Sequence, residues 1–189
     1  RLFESKYAEN PSDANLYGLA LAYKKNNNFN EGLASLDKLL EKYPKNLVLN
    51  TTKVEFLSYF NKFNDALDLA NKFLEISPKN YPLSISKSQI LLNMGEYFES
   101  EEIIRNQLLR KNDSPELWFM LSETQKTSQN IVGYHQSRAE YFLLLGQDEK
   151  ALNQLEFALQ LTQNNFQVSD RIMTKIIEIK KSLQNSRGL

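Results

Sequence analysis

The sequence predicts an all-α fold, a right-handed α-solenoid of paired antiparallel helices, and three observations predict it. Apolar residues recur at helical spacing along the chain, in stretches separated by polar breaks. Pro44 and Pro78 follow the similar segments LLEKY and FLEIS and stand 34 residues apart. Strand signals are absent from the sequence.

The elements follow in order. RLFESKYAENP reads as the end of a helix already under way. Because the chain opens at Arg1, it is expected to be a piece or processed form of something longer, with any signal peptide upstream. Three helix pairs come next: LYGLALAYKK with NNNFNEGLASLDKLLEKYP, then LNTTKVEFLSYFNKFNDALDLANKFLEISP, then YPLSISKSQILLNMGEYFESEEIIRNQLLRKN. Aligned on the prolines, the turn before each second helix carries Asn27, Asn61 and Gly95, residues that tolerate a left-handed backbone. Phe29, Phe63 and Tyr97 follow two residues on, and Gly32, Ala66 and Ser100 three beyond those, where only small side chains let two helices approach closely. Period, turn and small residue recur in phase, which is the pattern of the tetratricopeptide repeat. The units fall near 13–46, 47–80 and 81–114.

The next stretch breaks the period. PELWFMLSETQKT starts a first helix with Trp118 and Leu121 on repeat positions and Ser122 in the small slot, a half unit near 115–130. VGYHQSRAEYFLLLGQDEKALNQLEFALQL then has its own turn at Gly146 and its own small residue at Ala151. Ser100 and Ala151 are 51 residues apart, one and a half periods. One helix near 131–145 must therefore close one unit and open the next (131–164), with Tyr134, Ala139, Phe142, Leu143 and Leu145 giving it a broad apolar face. A capping helix over 168–186 follows, with Ser169 or Asp170 as N-cap and Ile172, Ile176, Ile179 and Leu183 as its apolar stripe. About eleven helices are expected in a single array over 1–189.

Composition narrows the function. Lys plus Arg and Asp plus Glu both number 23, so the formal net charge is zero and the basic footprint of a nucleic-acid binder is missing. An RNA-binding helical repeat would need a basic groove, so no nucleic-acid partner is expected. The basic tail (Arg171, Lys175, Lys180, Lys181, Arg187) reads as one solvated face of the last helix. No apolar run approaches the roughly 18 residues of a membrane span. The absence of cysteine excludes disulfides and thiolate metal sites, and suits cytosol or periplasm equally.

Catalytic chemistry is not expected either. His135 is the one histidine, too few for a zinc site or for a nucleophile with a base to spare, and it reads as a helix-surface residue beside the groove. The 6 glycines are scattered over turns and form no phosphate loop. Glu101 and Glu102 read as a solvated helix face. Asn50-Thr51-Thr52 and Asn112-Asp113-Ser114 match the glycosylation acceptor pattern, a match common by chance. The chain is thus expected to be no enzyme and to hold no cofactor.

The candidate site is the concave surface lined by first helices, which suits a protein or peptide partner. Repeat phase assigns to it Tyr17, Leu21 and Lys24; Glu55, Ser58 and Tyr59; Ile85, Gln89 and Asn93; Phe119, Glu123 and Lys126; and Gln136, Glu140 and Leu143 from the shared helix. Leu21, Ile85 and Leu143 are equally read as packing between units. The Lys-Asn-Asn-Lys-Arg constellation of chaperone-binding clamps is not present, since its positions read Tyr17, Leu21, Thr52, Pro82 and Ser86.

NLYGLALAYKKNNNFNEGLASLDKLL and HQSRAEYFLLLGQDEKALNQLEFAL, with the half-period slip between them, resemble the C-terminal repeat domain of the BepA-type (beta-barrel assembly-enhancing) periplasmic zinc metalloproteases. The likeness covers most of the chain: a YG-x-AL helix, an RAE helix with its Gly turn and AL, and the basic SDRIMTKIIEIKKSL helix. It implies a periplasmic location and an HExxH protease domain, absent from this sequence, that would hold the zinc. It also implies docking on that protease domain and recognition of outer-membrane β-barrel proteins and their assembly machine. Arg138, Ala139 and Glu140 match the family motif and read first as structural, pairing with neighbouring helices. A stand-alone repeat scaffold or assembly factor is the alternative.

Overall fold

The computed structural model describes residues 2–162 and 164–187. Among them are eleven helices and no strand. The chain divides into two compact units, Arg1–Met94 and Gly95–Leu189.

The first unit holds α1 (Leu2–Glu9), α2 (Asp13–Lys25), α3 (Phe29–Lys42), α4 (Leu47–Tyr59), α5 (Phe63–Ile76) and α6 (Tyr81–Met94). Helices α2 and α3 pair, as do α4 and α5, and α6 packs on both α4 and α5. Gly32 shows why the repeat needs a small residue: a Cβ there would come within 2.5 Å of the Phe56 ring. Ala66 fills the same slot one period on and is fully buried. Phe56 has no exposed surface and forms an aromatic trio with Phe29 and Phe60, with ring centres 4.9 to 5.8 Å apart. Burial of one such ring contributes about 1.5–3 kcal/mol.

The second unit holds α7 (Tyr97–Leu108), α8 (Pro115–Thr127), α9 (Ile131–Leu144), α10 (Asp148–Leu161) and α11 (Phe166–Arg187). Here α9 packs against both α8 and α10, and α10 carries α11. Ala139 is fully buried in a core with Ala151, Leu155 and Ala158, closed by Ile172, Ile176 and Ile179 of α11. Phe142 and Leu143 pack against that core, whereas Leu145 ends the helix 43% exposed and adds nothing to the apolar face expected of it.

Two backbone devices keep time along the chain. The N–H groups of Asn15, Leu49, Leu83 and Leu117 donate to the side chains of Ser12, Asn46, Asn80 and Ser114, so one N-cap recurs every 34 residues at the start of a first helix. The left-handed residues are Asn27 (φ 58°), Asn61 (58°), Gly95 (86°), Gln129 (61°) and Gly146 (68°). Spacing is 34 up to Gln129 and half of that to Gly146. After four of them the next N–H reaches back five residues: Asn28 to Tyr23, Lys62 to Leu57, Asn130 to Gln125 and Gln147 to Phe142. These bonds satisfy carbonyls left open at the helix ends.

The last helix starts earlier than expected. Asn165, not Ser169 or Asp170, caps α11, because its side-chain oxygen accepts the Val168 N–H at 3.2 Å. Ser169 lies inside the first turn and donates its hydroxyl back to the Thr162 carbonyl at 2.6 Å.

Candidate functional site

In the first unit the assigned residues of α2, α4 and α6 come together on the first-helix face. Tyr17 is held by a 3.0 Å hydrogen bond between its hydroxyl and that of Thr52. Tyr59 is half exposed at 52%, donates to the Asn27 side chain at 3.2 Å, and carries the Lys24 ammonium 5.3 Å from its ring centre. Glu55 is exposed and accepts from Ser86 on α6 at 3.4 Å. One turn apart on α6, exposed Gln89 donates to Asn93 at 3.3 Å. Leu21 is 40% exposed among them, and Ser58 and Ile85 are half-buried. The face therefore offers amides, one cation, one anion and an aromatic ring, while Leu16, Leu19, Val54 and Ile90 of the same helices lie buried beneath.

In the second unit α8 and α9 bring fewer of the assigned residues to the surface. Phe119 is 40% exposed, Lys126 is exposed, and Glu123 and Gln136 are half-buried. Glu140 is engaged within the fold, where Lys175 of α11 forms a short ion pair with it. Leu143 is half-buried and packs against the core, one of the two readings given for it. His135 also differs from the expectation: its Nδ1 lies 2.8 Å from the Gln154 side chain and its ring 5.5 Å from Phe157, so it faces α10.

Sequence reasoning missed a polar core in this unit. Gln125 is fully buried, donates to Glu101 at 3.0 Å and accepts from the Ser137 hydroxyl at 2.7 Å. Glu101 also binds Arg105 of its own helix at 2.6 Å, so its carboxylate ties α7 to α8, Gln125 carries the link on to α9, and Glu101 is no part of a solvated face. Burying an amide requires such partners. The signal available was Gly133, where a Cβ would sit 2.9 Å from the Gln125 amide. Asn50 is likewise a structural residue: it is buried and donates to the Pro44 and Asn46 carbonyls, which removes it as a glycosylation acceptor.

Shifted acids mark helix junctions rather than chemistry. Hydrogen bonds from Lys42 and then Tyr43 hold the Asp13 carboxyl below its ordinary range, tying the start of α2 to the end of α3. A hydrogen bond from Ser114 lowers Glu116 at the start of α8. Burial, followed by the hydrogen bond to Glu4, raises the Tyr23 phenol. Among the described residues no group of three His, Asp or Glu side chains is placed to hold a metal, and no helix is long and apolar enough to cross a membrane.

Paired helices at this period, with these turns and small-residue contacts, define the tetratricopeptide-type α-solenoid, and solved structures share it. MamA from Desulfovibrio magneticus RS-1 superposes with a TM-score of 0.61 at 13% identity, over 90% of this chain and 97% of its own. A tetratricopeptide repeat protein from Parabacteroides merdae gives 0.59 at 14%, over 93% of this chain and 75% of its own. A thermophilic repeat protein from Thermus thermophilus gives 0.52 at 21%, over 93% and 88%. At such identities the likeness is one of fold. No protein-family model matches the sequence. No curated protein matches it either.

Proposed function

We propose that this chain is a protein-binding module that offers its first-helix faces to a peptide or protein surface and performs no chemistry itself. The observation that carries this reading is the α2–α4–α6 face. There Lys24 lies over the Tyr59 ring, Glu55 accepts from Ser86 of α6, and Gln89 and Asn93 pair along α6, all over an apolar floor. Oriented aromatic and polar side chains of this kind bind with little loss of side-chain freedom.

The finer reading rests on the sequence resemblance. In it the chain is the substrate- and partner-binding half of a periplasmic zinc metalloprotease that acts in outer-membrane β-barrel protein assembly and quality control. The alternative is a stand-alone repeat scaffold.

Photo-reactive residues at Tyr59, Phe119 and Gln136, with controls at Asp68 and Glu102, test these readings in the periplasm of a Gram-negative host. Capture of barrel-assembly components or unfolded barrel proteins from the first three positions supports the protease-half reading. Capture of some other complex from the same positions favours the scaffold. Crosslinks from Asp68 and Glu102 alone would remove the first-helix face as the binding surface.

A further inference from the structure

We infer that Arg138 is a recognition point for side-chain carboxylates of an acidic peptide segment, which deepens the protein-binding reading and rests on it. The guanidinium carbon lies 5.0 Å from the centre of the Phe119 ring and 5.1 Å from those of Tyr141 and Phe142. Phe119 comes from α8 and the other two rings from α9, so two helices fix the group in place. Its Nη1 is buried without a hydrogen-bond acceptor. Among the described residues, no carboxylate pairs with Arg138. Lys175 already engages Glu140, and Glu123, one turn beyond Phe119, forms no ion pair with the guanidinium.

A guanidinium is permanently charged, carries five N–H donors and favours planar, bidentate acceptors. Aromatic faces attract its charge but do not replace a carboxylate on its donors. The group is therefore held in place by rings and without a carboxylate on its donors, which a partner's carboxylate supplies. Preorganisation of this kind lowers the entropy lost on binding.

The surrounding charges favour side-chain carboxylates over a single terminal one. Lys150 approaches the same Phe142 ring at 5.6 Å, and Lys126 approaches the neighbouring Tyr134 ring at 6.0 Å. Arg138, with the 40% exposed Phe119 beside it, complements a segment in which acidic and apolar residues alternate.

The test uses the full chain and fluorescence anisotropy with a labelled, C-terminally amidated decapeptide alternating Glu with Leu, set against the same peptide with Gln for Glu. The Glu peptide is expected to bind about 10- to 100-fold more tightly, as for hydrogen bonds to charged groups. Arg138→Gln should abolish that preference and Arg138→Lys restore only part of it. Because Arg138→Gln can disturb folding, the wild-type Arg138 Nε–H resonance supplies a second readout. It should shift on addition of the Glu peptide and not of the Gln peptide. Equal binding of the two peptides, an unmoved Nε–H resonance, or binding only by a free C-terminus overturns the inference. Partner capture from Tyr59 alongside any of those results leaves the protein-binding reading standing.

Discussion

The two units solve one packing problem in different ways. Between α2 and α6 the helices repeat at 34 residues, and the core is made of apolar clusters, one of them around Phe56, for whose ring Gly32 makes room. Between α8 and α10 the interval from Gln129 to Gly146 is half of that, and α9 must satisfy a neighbour on each side. Toward α10 it presents Ala139 and Phe142 to an aliphatic core. Toward α8 it presents Gly133 and Ser137 to the buried Gln125. A helix with apolar demands on two sides leaves little room for a solvated stripe, and a polar contact on one side is one way to fix its register. The same doubling brings Arg138 and Tyr141 beside Phe119, so the second unit gathers aromatic rings around a guanidinium where the face of the first mixes amides and both charges.

That contrast can be broken by substitution, beginning with the largest effect. Phe56→Ala should lower the stability of the first unit by about 3–5 kcal/mol, read from urea unfolding, because the fully buried ring packs over Gly32 and its loss leaves a cavity there. Gln125→Leu should cost the second unit about 1–3 kcal/mol, since Ser137 and Glu101 lose a buried partner. A neutral result there would mean that the polar core is incidental. Gln129→Gly should stabilise by about 1 kcal/mol, because Gln129 holds a left-handed backbone with a side chain that disfavours it. Asn61→Gly, at the same φ in the first unit, should gain only about a few tenths, since asparagine visits that region more readily.

The smallest effect is electrostatic. Asp13 has its pKa lowered by Lys42 and Tyr43, so its contribution is present above its unfolded value near 3.8 and is lost as pH falls through the folded value. A carboxyl NMR titration should find the Asp13 midpoint below the ordinary range, and Lys42→Met should move it up. The exposed setting keeps the stability change small.

Much of this fold was legible because repeats amplify weak signals. Asn27, Asn61 and Gly95 are individually common turn residues, yet their equal spacing fixes the phase. Gln129 was invisible for the converse reason: glutamine carries no turn preference, and the repeat imposes the conformation on it. Gln125 and Glu101 were lost because helical periodicity locates apolar stripes and cannot tell a buried amide from an exposed one. Asn165 was passed over for residues nearer the start of the apolar stripe, which begins a turn after the helix does. On the candidate site, register placed Lys24, Glu55 and Tyr59 together. It also assigned to the site Glu140, whose carboxylate Lys175 of α11 engages, while Leu143, read equally as packing, packs against the core.

Amide hydrogen exchange across α9 tests the central claim, that one helix serves two neighbours, most directly. The Gly133–Ala139 amides should be among the slowest in the second unit, because exposing them requires release from both α8 and α10. Gln125→Leu on one side and Leu155→Ala on the other should each speed exchange along that whole segment. Exchange that responds to only one of the two substitutions would contradict the claim and reduce α9 to the partner of a single helix.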